Sequence, residues 1–130
     1  MPTRPLSPHL SVYRMSRYTL ATSVCNRFTG VGLSLGLPLL VYWLMAVASG
    51  AQAQARATHL LSLPLAKLAY AALIVGYCYH FVAGIRHLVW DTGRGLERAQ
   101  SQRSAWLVVV VSVALMLVLG WCAFVGARAP

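Results

Sequence analysis

The sequence predicts an all-α membrane protein of three transmembrane helices, N-terminus inside and C-terminus outside, and three observations predict it. The chain is apolar: 58% of its 130 residues are hydrophobic and only 10% charged, with a mean hydropathy of +0.65, a balance foreign to an ordinary soluble domain. The apolar residues gather in three runs of about 22 to 26 residues, each long enough to cross a hydrocarbon core of about 30 Å. The charge is one-sided, with 11 Lys and Arg residues against two acids, Asp91 and Glu97. The arginines flank the apolar runs rather than forming a soluble basic face. That pattern fits membrane orientation and not nucleic-acid binding.

Residues 1 to about 19 are polar, punctuated by Pro2, Pro5 and Pro8 and carrying Arg4, Arg14 and Arg17. They are expected in water or at the interface, on the cytoplasmic side. No apolar run precedes about residue 20, so no cleaved secretory signal is expected. Nor is there a Ser/Arg-rich, transit-like extension, and the reading is a bacterial inner (cytoplasmic) membrane protein. The first helix is expected over about 23–48. Pro38 lies inside it, a break that neighbouring helices accommodate in a membrane. Residues 49–63, with Gly50, Gln52, Gln54 and Arg56, read as a loop. After Pro64 the second helix is expected over about 65–90. A polar loop over 91–104 holds Asp91, Arg94, Glu97, Arg98 and Arg103, and the third helix is expected over about 105–126. No internal repeat or soluble domain interrupts this pattern, and 1–130 reads as a single membrane-anchor domain.

Orientation follows from the arginines. Arg4, Arg14, Arg17, Arg94, Arg98 and Arg103 lie on one side, with Arg27 and Arg86 near the same helix ends; Arg56, Lys67 and Arg128 lie on the other. The positive-inside rule places the first group in the cytoplasm. Trp90 and Trp106 then mark the inner boundary, and Trp43 and Trp121 the outer one. Cys25, Cys78 and Cys122 fall in three different runs with no CxxC spacing, so they read as small packing residues rather than as disulfide or zinc ligands.

Chemistry concentrates at the end of the second run. Gly76, His80, Gly84, His87 and Asp91 recur every three or four residues and share one helix face. By helical rise His80 sits about 16 Å from Asp91, deep in the bilayer, where an ionisable side chain is a functional candidate. A neutral imidazole there suits axial ligation of haem iron; the alternative is a buried histidine bonded to a neighbouring helix. His87 lies about 10 Å further along the same axis, so the two histidines cannot clamp opposite faces of one haem. A second histidine ligand would have to come from another chain. His9 and His59 fall outside the spans and read as solvated.

Arg27 and Arg86 form a second constellation near the inner boundary. Ser23, Arg27, Gly30 and Ser34 follow one another along a single face of the first helix. Arg27 either snorkels to lipid phosphate or binds a ligand: two haem propionates would suit its planar fork, and a quinone would offer carbonyl oxygens to Ser23 and Arg27. The spacing alone gives a polar site at that boundary and leaves the ligand open.

Three motifs carry a family resemblance. Arg4-Pro5-Leu6-Ser7-Pro8-His9-Leu10, followed by Tyr13-Arg14, resembles the opening of the succinate dehydrogenase cytochrome b subunit, the membrane anchor of respiratory complex II. Ser23-Val24-Cys25-Asn26-Arg27-Phe28-Thr29-Gly30 resembles that family's S-x-x-H-R-x-[ST]-G signature. His80 to Asp91 resembles its H-x-x-x-G-x-R-H-x-x-x-D signature at every fixed position. The resemblance implies a b-type haem shared with a second three-helix anchor subunit, with His80 as axial ligand to the iron. It implies ubiquinone contacts from Ser23 and Arg27, and an approach of Arg27 to the haem propionates. Asn26 stands where the family usually has histidine, and asparagine hydrogen-bonds but does not become cationic.

The implied role is the anchor of succinate:quinone oxidoreductase. It would pass electrons from an iron–sulfur subunit to quinone, while a flavoprotein subunit oxidises succinate; this chain carries no flavin fingerprint or cluster-type cysteine pattern of its own. A quinol:fumarate reductase anchor runs the same reaction in reverse. A small non-redox transport or structural subunit is the rival from another class, but apart from His80 the midplane of the spans is bland.

Overall fold

A computed structural model of the chain describes residues 17–126. Along them run α1 (Arg17–Ala48), α2 (Ala51–Leu61), α3 (Pro64–Asp91) and α4 (Arg98–Gly126). Three of these helices hold segments long and apolar enough to cross a membrane, Thr19–Ala48, Pro64–Asp91 and Arg98–Cys122. The all-helical, three-span architecture expected from hydropathy is therefore present. The Arg4–Leu10 motif, His9, Tyr13, Arg14 and Arg128 lie outside the described residues.

Two helices extend past their apolar runs. α1 begins at Arg17 rather than near Ser23, and α4 at Arg98 rather than near Ala105. Arg, Gln and Ala are good helix formers, so the backbone keeps its pattern after the side chains have turned polar. Residues 49–63, expected as a loop, contain α2 instead. Its 11 residues, AQAQARATHLL, are rich in alanine and glutamine, and Ala57 is fully buried. Gly50 precedes it at φ 100°, a conformation open to glycine and costly for other residues. Pro64 starts α3 at a position where its missing N–H costs nothing. Between α3 and α4, Gly93 and Gly95 take φ of 76° and 75°, and Trp90 Nε1 donates to the Gly95 carbonyl at 3.0 Å.

α3 lies against both α1 and α4. Among the described residues the buried side chains are small or polar: Ala46, Ala57, Cys78, Ala83, Ala105 and Val108, together with Thr22, Arg86 and Ser112. Large apolar side chains such as Leu35, Leu65 and Trp121 point outward. That arrangement is suited to lipid or to other membrane helices rather than to water. Where α1 faces α3, a Cβ on Gly36 would stand 2.7 Å from Cδ2 of Leu73, so glycine leaves room for that side chain.

Candidate functional site

Among the described residues His80 is held through Nδ1 alone. Its Nδ1 lies 3.1 Å from the main-chain carbonyl of Asn26 and 3.2 Å from Thr29 Oγ1. A carbonyl carries no proton, so Nδ1–H is the donor. The Thr29 hydroxyl donates in turn to the Cys25 carbonyl at 2.8 Å and can accept from the ring. These contacts fix the tautomer and leave the Nε2 lone pair available, the arrangement by which proteins orient a ligating imidazole.

The space around the ring comes from glycine. A Cβ on Gly30 would stand 3.0 Å from Cε1 of His80. Beyond it opens a groove of about 980 Å³, lined by Gly30, Ser34 and Leu37 of α1, by Tyr77 and His80 of α3 and by Met116 and Gly120 of α4. Its volume lies at the upper end of the range for cofactor clefts. A second, smaller groove of about 430 Å³ shares Leu33, Gly36 and Leu73 with it and is lined by Phe28, Gly32 and Ala72.

The donor set fits a haem better than a bare metal ion. Among the described residues no three His, Cys, Asp or Glu side chains come together as a metal cluster. An axial position on haem iron needs one imidazole, and His80 supplies one with the correct nitrogen free. His87 is differently employed, packed edge-on against Trp90 at 5.2 Å between ring centroids. Asp91 is exposed at the end of α3, and His59 is exposed on α2. A Cβ on Gly84 would meet nothing within 4 Å, so that part of the glycine–histidine stripe is open.

Ser23 is half-buried and Arg27 exposed. Helical register continues their face into Gly30 and Ser34, which line the His80 groove. Ser23 and Arg27 thus stand on the groove face of α1, towards the helix N-terminus, and do not line the groove itself. Asn26 meets His80 through its main chain, while its side-chain Oδ1 is buried without a hydrogen-bond partner.

The two arginines paired by the sequence reading have different settings. Arg86 is 8% exposed. Its Nε donates to Ser104 Oγ at 2.9 Å, its Nη1 to Thr22 Oγ1 at 3.2 Å, and its Nη2 to the Ser101 carbonyl at 2.8 Å and Ser101 Oγ at 3.2 Å. The guanidinium carbon also lies 3.9 Å from the Trp90 ring centroid, a cation–π contact. Tyr79 donates to the Thr22 carbonyl at 2.9 Å. Tyr79, Thr22 and the serines that receive Arg86 were missed as a group by sequence reasoning. The available signal was Arg86 itself, a cation near a helix end in a chain with two acids against 11 Lys and Arg.

Comparison with known proteins identifies the family. The family described as succinate dehydrogenase/fumarate reductase transmembrane subunit matches residues 1–119. The chain is 38% identical over 112 residues to the succinate dehydrogenase cytochrome b556 subunit of Paracoccus denitrificans, spanning 86% of this chain and 85% of that one. It is 34% identical over 116 residues to the protein of the same name from Rickettsia prowazekii (strain Madrid E), spanning 89% and 90% of the two chains. With the mitochondrial succinate dehydrogenase cytochrome b560 subunit of Bos taurus it shares 38% identity over 112 residues, covering 85% of this chain and 66% of that one.

Proposed function

This chain belongs to the succinate dehydrogenase/fumarate reductase transmembrane-subunit family, and on that footing we propose that it is the cytochrome b anchor subunit of a succinate:quinone oxidoreductase. The observation that carries the reading is the His80 imidazole, fixed through Nδ1 on the Asn26 carbonyl and bordering a large groove. In this reading His80 would hold haem b through Nε2, together with a residue of a second three-helix anchor subunit, while His87 is packed on Trp90. Bound there, haem supplies a one-electron redox centre inside the membrane. Gly30 keeps the imidazole plane clear, and the apolar walls exclude water.

Ubiquinone is the electron acceptor in this reading, and its head group meets Ser23 and Arg27. Quinone reduction places negative charge on a carbonyl oxygen before protons arrive. A hydroxyl and a guanidinium beside that oxygen would stabilise the charge. Arg27 also suits the haem propionates, since an exposed guanidinium binds carboxylates in pairs. An iron–sulfur subunit delivers the electrons on the cytoplasmic face, a flavoprotein subunit oxidises succinate, and the complex sits in a bacterial inner membrane with this N-terminus inside.

The test uses the complex purified through a tag on this chain. It should contain b-type haem and reduce ubiquinone with succinate. Ser23→Ala and Arg27→Ala should each lower succinate–ubiquinone activity by about 100- to 1,000-fold, the loss expected for one charge-stabilising donor. Succinate oxidation by a dye acceptor should stay near wild type. Equal loss in both assays, or loss in neither, contradicts the assignment of the head-group site.

A further inference from the structure

We infer that Arg86 is a positioning residue for the quinone site: it fixes the rotation of α1 through Thr22 and thereby sets where Ser23 and Arg27 meet the head group. The inference rests on the quinone-site reading above. All three guanidinium nitrogens donate to the protein's own hydroxyls and carbonyl, and Trp90 covers the guanidinium. This buried side chain is committed to the fold, while Arg27 is the exposed one. The two arginines therefore divide the work, one holding and one binding.

The hold falls on the residue before Ser23. Thr22 is gripped at its hydroxyl by Arg86 at 3.2 Å and at its carbonyl by Tyr79 at 2.9 Å. One turn further on, His80 takes the Asn26 carbonyl at 3.1 Å. α1 is thus tied to α3 at two successive turns, on a face next to the one that carries Ser23 and Arg27. The other arm of Arg86, to Ser101 and Ser104, ties the same point to the first turns of α4. A helix surface lies about 5–6 Å from its axis, so a turn of only about 10° moves a surface side chain by about 1 Å. Displacements of that size cost on the order of 100-fold where alignment with a reacting group matters. Lysine at position 86 would keep the charge but lose the fork that reaches three partners.

The experiment separates holding from general stability. Thr22→Val keeps the branched shape and removes the acceptor, while the Arg86 bonds to α4 remain. In the purified complex it should raise KM for a short-chain ubiquinone by about tenfold, equivalent to about 1.4 kcal/mol, with haem content and dye-coupled succinate oxidation unchanged. The low-spin haem EPR g values should shift, because His80 hangs from the same stretch of α1. Thr22→Ser should restore both readouts, and Arg86→Lys should behave like Thr22→Val. If Thr22→Val fails to assemble, Tyr79→Phe removes the second grip without loss of ring volume and should show the same split. Normal KM and unshifted g values in Thr22→Val, alongside impaired Ser23→Ala and Arg27→Ala, overturn the role of Arg86 alone. Normal quinone kinetics in Ser23→Ala and Arg27→Ala place the head group elsewhere and overturn both readings.

Discussion

Adding one methyl group at Gly30 tests how closely the imidazole is held. The new Cβ would stand 3.0 Å from Cε1 of His80, 3.6 Å from Nδ1 and 3.8 Å from Nε2, whereas carbon atoms rest about 3.5–4.0 Å apart. The ring must retreat by about 0.5 Å to relieve the contact. Retreat stretches the 3.1 Å bond between Nδ1 and the Asn26 carbonyl towards about 3.6 Å, where a hydrogen bond is no longer made. That forfeits about 1 kcal/mol, and overpacking adds a cost of about 1–3 kcal/mol. Against this, alanine in a helix interior is favoured over glycine by about 1 kcal/mol. Gly30→Ala should therefore change thermal stability modestly while weakening haem retention by about tenfold, or about 1.4 kcal/mol. The assay is haem content by pyridine haemochrome after competition with excess apomyoglobin. Gly32→Ala is the control, because a Cβ there meets nothing within 4 Å, and it should keep its haem. Wild-type haem retention in Gly30→Ala, with an unshifted low-spin spectrum, refutes the claim that Gly30 shapes the ligand's position.

Two further predictions follow from the same framework. Asn26→Ala should retain haem, since the contact to His80 is a main-chain carbonyl and the side-chain oxygen is buried without a partner; loss of the b-type spectrum in an assembled variant would assign the side chain a role the geometry does not. Topology is tested by an impermeant thiol reagent in a functional variant stripped of Cys25, Cys78 and Cys122. Gln54→Cys on α2 should react from outside and Gln100→Cys on α4 only after the membrane is opened, both positions being exposed; labelling of both from one side would break the shared cytoplasmic face for Arg27 and Asp91.

The three spans were legible because hydropathy averaged over about 20 residues reports directly on bilayer crossing. Their ends were less so. Arg17 and Arg98 start helices in polar sequence, because backbone hydrogen bonding continues where side-chain polarity changes. α2 was read as a loop because its 11 residues are too few to span a membrane and Gln52, Gln54 and Arg56 make it polar between two apolar runs. At the site, the spacing of Ser23, Arg27, Gly30 and Ser34 announced a common face. The anchor of His80 did not announce itself, since any residue type can offer a main-chain carbonyl. Arg27 and Arg86 were indistinguishable in sequence as arginines near helix ends. What separates them is that Ser101 and Ser104 belong to the first turns of α4 and not to a loop, which places two hydroxyls and a carbonyl beside Arg86.

The proposed ligation of haem iron by His80 Nε2 is tested most directly by the reduced-minus-oxidised absorption spectrum of the purified, assembled complex. His80→Ala should lose or strongly diminish the low-spin b-type bands. His87→Ala, which removes an imidazole packed on Trp90, should retain them at wild-type intensity. An unchanged b-type spectrum in an assembled His80→Ala complex would contradict the assignment.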